Sequence, residues 1–433
     1  MLLASRLRDT FPFYYGWIVV AASSTVVFAR MAPNITTLSV LIFPMSEQFG
    51  WSRTLISGSV SSGAIASLAF SPVVGWAIDR FGARPVMVIS VLCLGLAMVS
   101  LAWATLPITF YIAYSVGRVV FHTSAPIGSS TVASRWFIKK RGRAIGVIFL
   151  VGAIGGIVFT MLASLIVENY GLKTTWIIIG LLVLTVSVAP TLLLVAEKPE
   201  DIGLLPDGEI LNSDGSSKLT ESVDSAALTI GLDDESWTLG EAVHTGTFWI
   251  MVVMGFTMYF VHTSIGVHMG AYFRDVGLGP TTTALAISLS WIVSAVGSVG
   301  WGFVTDRAPI RYAYSLMFVI QAGSTLYLML VDGTLGIFLA AALFGVVSSA
   351  SNVIPSVMYE NYFGRSALGR IRGVGEIGVL LGQATGPITA GILFGLQGNY
   401  DSIFTVFVLV AVVCSLIVLL AKPTVKNQAA LEF

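Results

Sequence analysis

Residues 75–84 read GWAIDRFGAR, and residues 302–311 read GFVTDRAPIR. Both are Gly, three residues, Asp-Arg, three residues, Arg, and they lie 227 positions apart. Each phrase is a charged island between long apolar stretches. The chain around them has 433 residues, of which 55% are hydrophobic and 11% charged. A soluble domain carries about 25% charged residues, so this chain cannot cover a core with a polar skin, and it is a membrane protein. Its formal net charge of zero argues against a nucleic-acid partner. Cys93 and Cys414 both fall inside apolar runs, which gives neither a disulfide framework nor a metal pattern. The N-terminus has basic residues but no short apolar core with a small-residue cleavage site, so no removed signal peptide is read there.

A spanning helix needs roughly 20 apolar residues. Twelve such runs are predicted, at 15–43, 54–78, 85–105, 107–135, 142–168, 173–195, 246–274, 281–304, 311–331, 334–360, 368–396 and 400–421. The segment 196–245 separates six from six. It holds twelve Asp/Glu against Lys198 and Lys218, and it reads as a flexible tether with one short amphipathic turn near Trp237. The predicted organisation is therefore an N-terminal six-helix bundle over 1–195, an acidic cytoplasmic linker over 196–245 and a C-terminal six-helix bundle over 246–433. Lys and Arg set the orientation. With both termini inside, the inner tails and loops hold eighteen of the 23 Lys and Arg, against Arg53, Lys173 and Arg274 outside. Arg30 and Arg118 fall within spans.

The repeated phrases sit between the second and third spans and between the eighth and ninth. A second echo, WFIKKRGRAIG at 136–146 and YFGRSALGRIRG at 362–373, has nearly the same offset. Each half is therefore the same six-helix unit in parallel orientation, the plan of rocking transporters. The phrase G-x-x-x-D-R-x-G-x-R after the second of twelve spans, with its copy in the second half, resembles the signature of the major facilitator superfamily. That resemblance implies an all-α polytopic membrane protein of 12 transmembrane helices in two pseudo-symmetric bundles. It also implies a monomer in the inner (cytoplasmic) membrane with both termini cytoplasmic. Gly75, Asp79, Arg80, Arg84 and their counterparts Gly302, Asp306, Arg307 and Arg311 would form a cytoplasmic latch. Asp79 would end its helix on the inner face, with Arg80 and Arg84 in water.

A charge at mid-bilayer costs about 2.5–3.5 kcal/mol on insertion scales, so it calls for a function or a partner. Arg30, Arg118, His122 and His262 all fall near mid-depth, on the first, fourth and seventh spans. In the superfamily these line a central cavity together with the tenth span, which contributes Ser348, Ser351 and Asn352. Two arginines without a matching mid-depth carboxylate make a cationic cavity suited to a carboxylate anion. Arg118 could instead serve structure by bonding backbone carbonyls. His122 and His262 are candidates for proton coupling, although membrane histidines also simply bridge helices, and His268 reads as structural. Glu376 is a further proton-coupling candidate, or a partner for Arg370 or Arg372. Glu360 reads as inner surface.

Residues 136–146 are similar to the loop after the fourth helix in the monocarboxylate-transporter branch, whose Gly-Trp opening is matched by Gly16-Trp17. The Pro-Lys of that branch becomes Pro33-Asn34 here, which places Asn34 among the binding candidates. The eighth span lacks the charges of the branch's animal members, and the basic residues that the oxalate–formate exchangers place at mid-depth in the eighth and eleventh spans are not evident. The resemblance implies a proton-coupled monocarboxylate symporter working by alternating access on a small carboxylate and H+. The alternatives are an anion exchanger, an exporter of amphipathic compounds and a non-transporting sensor. No nucleophile–base pair, metal-ligand cluster or phosphate loop appears, so neither an enzyme nor a cofactor is implied.

Overall fold

The computed structural model describes residues 13–208, 237–331, 333–364, 367–397 and 399–422. Arg6, Arg8, Lys218, Arg365 and Lys426, which entered the charge count, lie outside them. Among the described residues nine continuous helices are long and apolar enough to cross a membrane. One of these, Arg141–Leu194, is a double crossing folded at Gly171, whose φ of 75° and ψ of 173° no helix contains. Two further crossings are interrupted and escape a test of continuous length. Span 1 is Gly16–Ala29 followed by Ile35–Phe49, and span 4 is Pro107–His122 followed by Ser124–Trp136. The remaining spans are span 2 (Arg53–Phe81), span 3 (Ala83–Ser100), spans 5 and 6 (141–170 and 172–194), span 7 (Gly246–Asp275), span 8 (Pro280–Arg307), span 9 (Ile310–Leu330), span 10 (Gly333–Phe363), span 11 (Leu368–Gln397) and span 12 (Asp401–Ile417).

The interruptions correct the expectation that spans 1 and 4 run unbroken, and both have a cause in the sequence. A proline inside a helix lacks the N–H that would bond residue i−4, and its ring clashes with that carbonyl. Pro33 stands four residues after Ala29, where the first half of span 1 ends, and Pro126 stands four after His122, where the first half of span 4 ends.

The two halves meet at the end that carries the repeated motif. The Asp79 carboxylate, on span 2, accepts the backbone N–H groups of Gly369 and Arg370 at 2.8 Å each, at the start of span 11. The Asp306 carboxylate, on span 8, accepts those of Gly142 (2.6 Å) and Arg143 (3.2 Å), at the start of span 5, and takes Arg143 Nε at 2.7 Å. The first N–H groups of a helix have no partner within it. Each half thus supplies the carboxylate that caps a helix of the other, and the exposed N-terminal partial charge favours an anion there.

Close approach makes this possible. A Cβ at Gly75 would run into Gly369 O, and one at Gly302 into Gly142 O. Ser71 Oγ donates to Gly373 O at 2.8 Å, Arg141 Nη1 donates to Asn361 Oδ1 at 2.6 Å, and Ser134 donates to Glu360. Glu360, expected at the surface, is 2% exposed, because it is enclosed between the halves with Arg141 at 3.7 Å.

The linker is less loose at its ends than expected. Asp207 accepts the N–H groups of Ile138 (2.9 Å) and Lys139 (2.8 Å), and Tyr14 donates its hydroxyl to Leu205 O (2.9 Å). The expected turn near Trp237 is the short helix Leu239–Val243, and Trp237 packs edge-on to Phe363. The rest of the acidic linker, 209–236, lies outside the described residues.

Asp79→Asn and Asp306→Asn each remove a charge from a cap. At about 1.4 kcal/mol, within the 0.3–2 kcal/mol range of a charge at a helix terminus, each should move the population about tenfold toward separation of the motif ends. Spin-label distances across that end should lengthen in both variants, and at least as much in Asp306→Asn, because Asp306 also holds Arg143 Nε at 2.7 Å.

Candidate functional site

Between the halves lies a cavity of about 220 Å³. Arg30, Asn34, Arg118, His122, His262, Asn352 and Glu376 all line it, so the structure brings together every candidate proposed for binding or proton coupling. Their local settings differ, and the breaks in spans 1 and 4 explain most of the difference.

At each break a backbone carbonyl loses its helical N–H, and an unpaired carbonyl in hydrocarbon costs several kcal/mol. The two spans repair one another. Arg30, at the break in span 1, donates Nη1 to Phe121 O of span 4 at 2.9 Å. Pro33 O, in the break of span 1, accepts the Tyr114 hydroxyl at 2.8 Å, with Arg118 Nη1 at a long 3.5 Å, both from span 4. The two guanidinium carbons lie over the same Phe121 ring, at 4.9 Å for Arg30 and 4.7 Å for Arg118. Arg30 is 6% exposed and Arg118 3%, and the Nε of each is buried without a hydrogen-bond partner. The two readings of Arg118, structural and cavity-facing, therefore hold at once for both arginines. Part of each fork mends the backbone, and part is left over.

His122 Nε2 lies 2.8 Å from Arg118 Nη2. A guanidinium can only donate, so this nitrogen accepts and carries no proton. Asn34 lines the cavity, but its Oδ1 accepts the N–H of Ile35 at 2.7 Å and starts the second half of span 1. Its expected part in binding becomes chiefly a capping role. His262 stacks flat on Phe344, at 4.4 Å and 7°, with Nδ1 buried and unpartnered. His268 bonds Tyr400 and Pro387 O, a structural tie between span 7 and span 11.

The expectation that no carboxylate accompanies the arginines is corrected. Glu376 of span 11 lines the cavity, and so does Arg372 one turn before it, with Arg372 Nε 3.6 Å from Glu376 Oε1. Arg372 also donates to Ser130 of span 4 and, at 2.8 Å, to Ser356 of span 10, bridging the halves at the cavity. Sequence reasoning counted Arg372 with the inner loop because it stands near the start of its span. The expected pairing of Glu376 with Arg372 is present, and their i, i+4 spacing, which puts both on one helix face, is the signal that would have placed Arg372 in the cavity as well.

Of the motif residues, Asp79, Gly75, Asp306 and Gly302 join the halves as described above. The arginines do not pair with those aspartates. Arg80 is exposed and leans on Trp76 and Phe81, while Arg84, expected in water, donates to Leu192 O. Arg307 lies over Phe303, and Arg311 lies over Tyr312. Among the described residues no cluster of His, Cys, Asp and Glu could hold a metal ion.

The Major Facilitator Superfamily model matches residues 22–353 and 251–432. The chain belongs to this superfamily. It is similar to Monocarboxylate transporter 9 of Mus musculus, 30% identical over 178 residues, which is 40% of this chain and 34% of that protein. The chain thus spans about a third of the length of the first curated relatives it matches. It is also similar to the Oxalate:formate antiporter of Oxalobacter formigenes, 22% identical over 289 residues, covering 64% of this chain and 61% of the other. Two solved structures share the superfamily fold. The human organic anion transporter MFSD10 (TETRAN) superposes with a TM-score of 0.70 at 12% identity, over 93% of this chain and 99% of that one. The proton:xylose symporter XylE superposes with 0.73 at 15% identity, over 96% and 99%. These proteins are named as transporters, an antiporter and a symporter, and the superfamily to which the chain belongs is one of transporters and not of enzymes.

Tyr114→Phe leaves Pro33 O with only the long contact from Arg118. It should cost about 0.5–1.5 kcal/mol, seen as a lowered melting temperature of the purified chain in detergent.

Proposed function

We propose that the chain is a secondary active transporter of a small organic anion, a carboxylate, working by alternating access across the inner membrane with the motif end in the cytoplasm. The observation that carries this reading is the pair of buried guanidinium groups, Arg30 and Arg118, facing one cavity with an unpartnered Nε each. Charge-assisted pairing with a carboxylate is the interaction those groups lack. The three guanidinium groups at the cavity, against the single carboxylate of Glu376, leave it net positive. The similarity to a monocarboxylate transporter and to an oxalate:formate antiporter supports an anionic substrate. The capped interface at the motif end corresponds to a state closed on that side, and its weak point is the set of short-range contacts that rocking must break.

The preferred coupling is symport with a proton. Glu376 and His262 are the groups whose settings suit it, since His122 Nε2 is engaged by Arg118. A second reading, exchange of one carboxylate for another, is favoured by that same engagement, because one of the histidines assigned to proton coupling is held as an acceptor.

Uptake into proteoliposomes, alkaline inside, tests both. Symport predicts accumulation of a labelled carboxylate that stops when the pH gradient is collapsed. Exchange predicts flux only after counter-loading with a second anion. Silence in both formats would remove the anion reading. In the active format Arg30→Ala and Arg118→Ala should each raise the half-saturating concentration about 10- to 150-fold, the worth of about 1.5–3 kcal/mol in a charged hydrogen bond. His122→Gln, which keeps an acceptor for Arg118, should retain uptake and its pH profile.

A further inference from the structure

The two walls of the cavity differ in character: the wall from spans 1 and 4 is cationic, and the face built by spans 7, 8 and 10 is neutral and polar. On the wall from spans 1 and 4, Arg30 and Arg118 can only donate, and the acceptor nitrogen of His122 is already taken by Arg118. On the facing wall, four polar side chains from spans 7, 8 and 10 line the same cavity. Each donates one hydrogen to its own helix. Thr263 Oγ1 donates to Tyr259 O at 2.5 Å, Ser298 Oγ to Ser294 O at 2.9 Å, Ser351 Oγ to Ser348 O at 2.7 Å, and Asn352 Nδ2 to Ser348 O at 3.0 Å.

The Ser348 carbonyl can only accept, so Nδ2 of Asn352 faces it with one of its two hydrogens, and Oδ1 and the second hydrogen are left for a ligand. What the three hydroxyls retain is acceptor capacity, while Tyr259, Trp291 and Gln383 add neutral donors to the lining. Ser356 displays the completed pattern: its hydroxyl donates to Asn352 O at 2.9 Å and accepts Arg372 Nη2 at 2.8 Å.

A ligand that satisfies both walls carries an anionic acceptor at one end and neutral donors at the other. A second carboxylate would meet acceptors, and an alkyl tail would leave them unsatisfied. An ammonium group would add positive charge to a cavity that already holds three guanidinium groups and one carboxylate. The cavity, at about 220 Å³, has room for more than a three-carbon acid. Resting on the anion-transport reading above, we infer that the site takes a polyhydroxylated monocarboxylate longer than a three-carbon acid. Its carboxylate sits on Arg30 and Arg118, and its hydroxyls donate to Thr263, Ser298, Ser351 and Asn352.

The test is thermal stabilisation of the full chain in detergent by acids of matched six-carbon length: gluconate, hexanoate, adipate and 6-aminohexanoate, with lactate as the short control. Gluconate should reach half-maximal stabilisation at a concentration at least tenfold below each of the others. Hexanoate, adipate, 6-aminohexanoate or lactate acting at the same concentration as gluconate would overturn the inference and leave the anion reading standing. No stabilisation by any acid would overturn both. Asn352→Leu and, independently, Thr263→Val should narrow the preference for gluconate over hexanoate by several-fold while hexanoate still binds. An unchanged preference in both variants counts against the assignment.

Discussion

The constraint on which this structure depends is that hydrocarbon offers no hydrogen-bond partners. Every backbone group released from a helix, and every charge, must be matched by another part of the chain. Pro33 and Pro126 interrupt two spans, and the carbonyls left behind are met by side chains of the opposite span. Because Arg30 makes one repair and Arg118 reaches toward the other beside Tyr114, two cations stand in the middle of the membrane. The same residues that mend the backbone therefore define the charge of the cavity. Structural and cavity-facing parts belong to one arrangement, divided among the several donors of a guanidinium fork.

The same constraint governs the interface between the halves. The helix starts at Arg141 and Leu368 lack a side-chain cap of their own, and the carboxylates of Asp306 and Asp79 supply it across the interface. Gly75 and Gly302 allow the backbones close enough for this to happen. The arrangement ties each half to the other through charged contacts on amide dipoles, worth about 1.5–3 kcal/mol each. Contacts of that size hold a state without making it permanent, which is what a rocking transporter needs of an interface.

Much of the fold was legible because its signals are local or periodic. Twelve apolar runs, a polar divide after six, and a phrase repeated at a fixed offset are properties of the chain alone. Arg30 and Arg118 were legible as site candidates for the same reason, since a charge inside an apolar run stands out. Glu360 and Arg372 were not, because each lies near the end of a span, where a charge normally meets water. Only the docking of the two halves, which sets Ser134 and Arg141 on Glu360 and Ser130 on Arg372, buries them. The capping role of Asn34 was not legible because the break that needs a cap there was not foreseen, although Pro33 beside it was the signal.

The sequence by itself determined the class of this protein, the number of crossings, the two-fold repeat and the presence of mid-membrane cations, because hydropathy, periodicity and charge are carried residue by residue. Tertiary structure decided which groups those charges face. It set Asp79 and Asp306 on backbone amides and not on the motif arginines, drew Arg372 and Glu376 into the cavity, and turned His122 Nε2 into an acceptor. Hydrogen bonds act only over about 3 Å, and such distances are set by how two bundles dock, which no single stretch of sequence specifies.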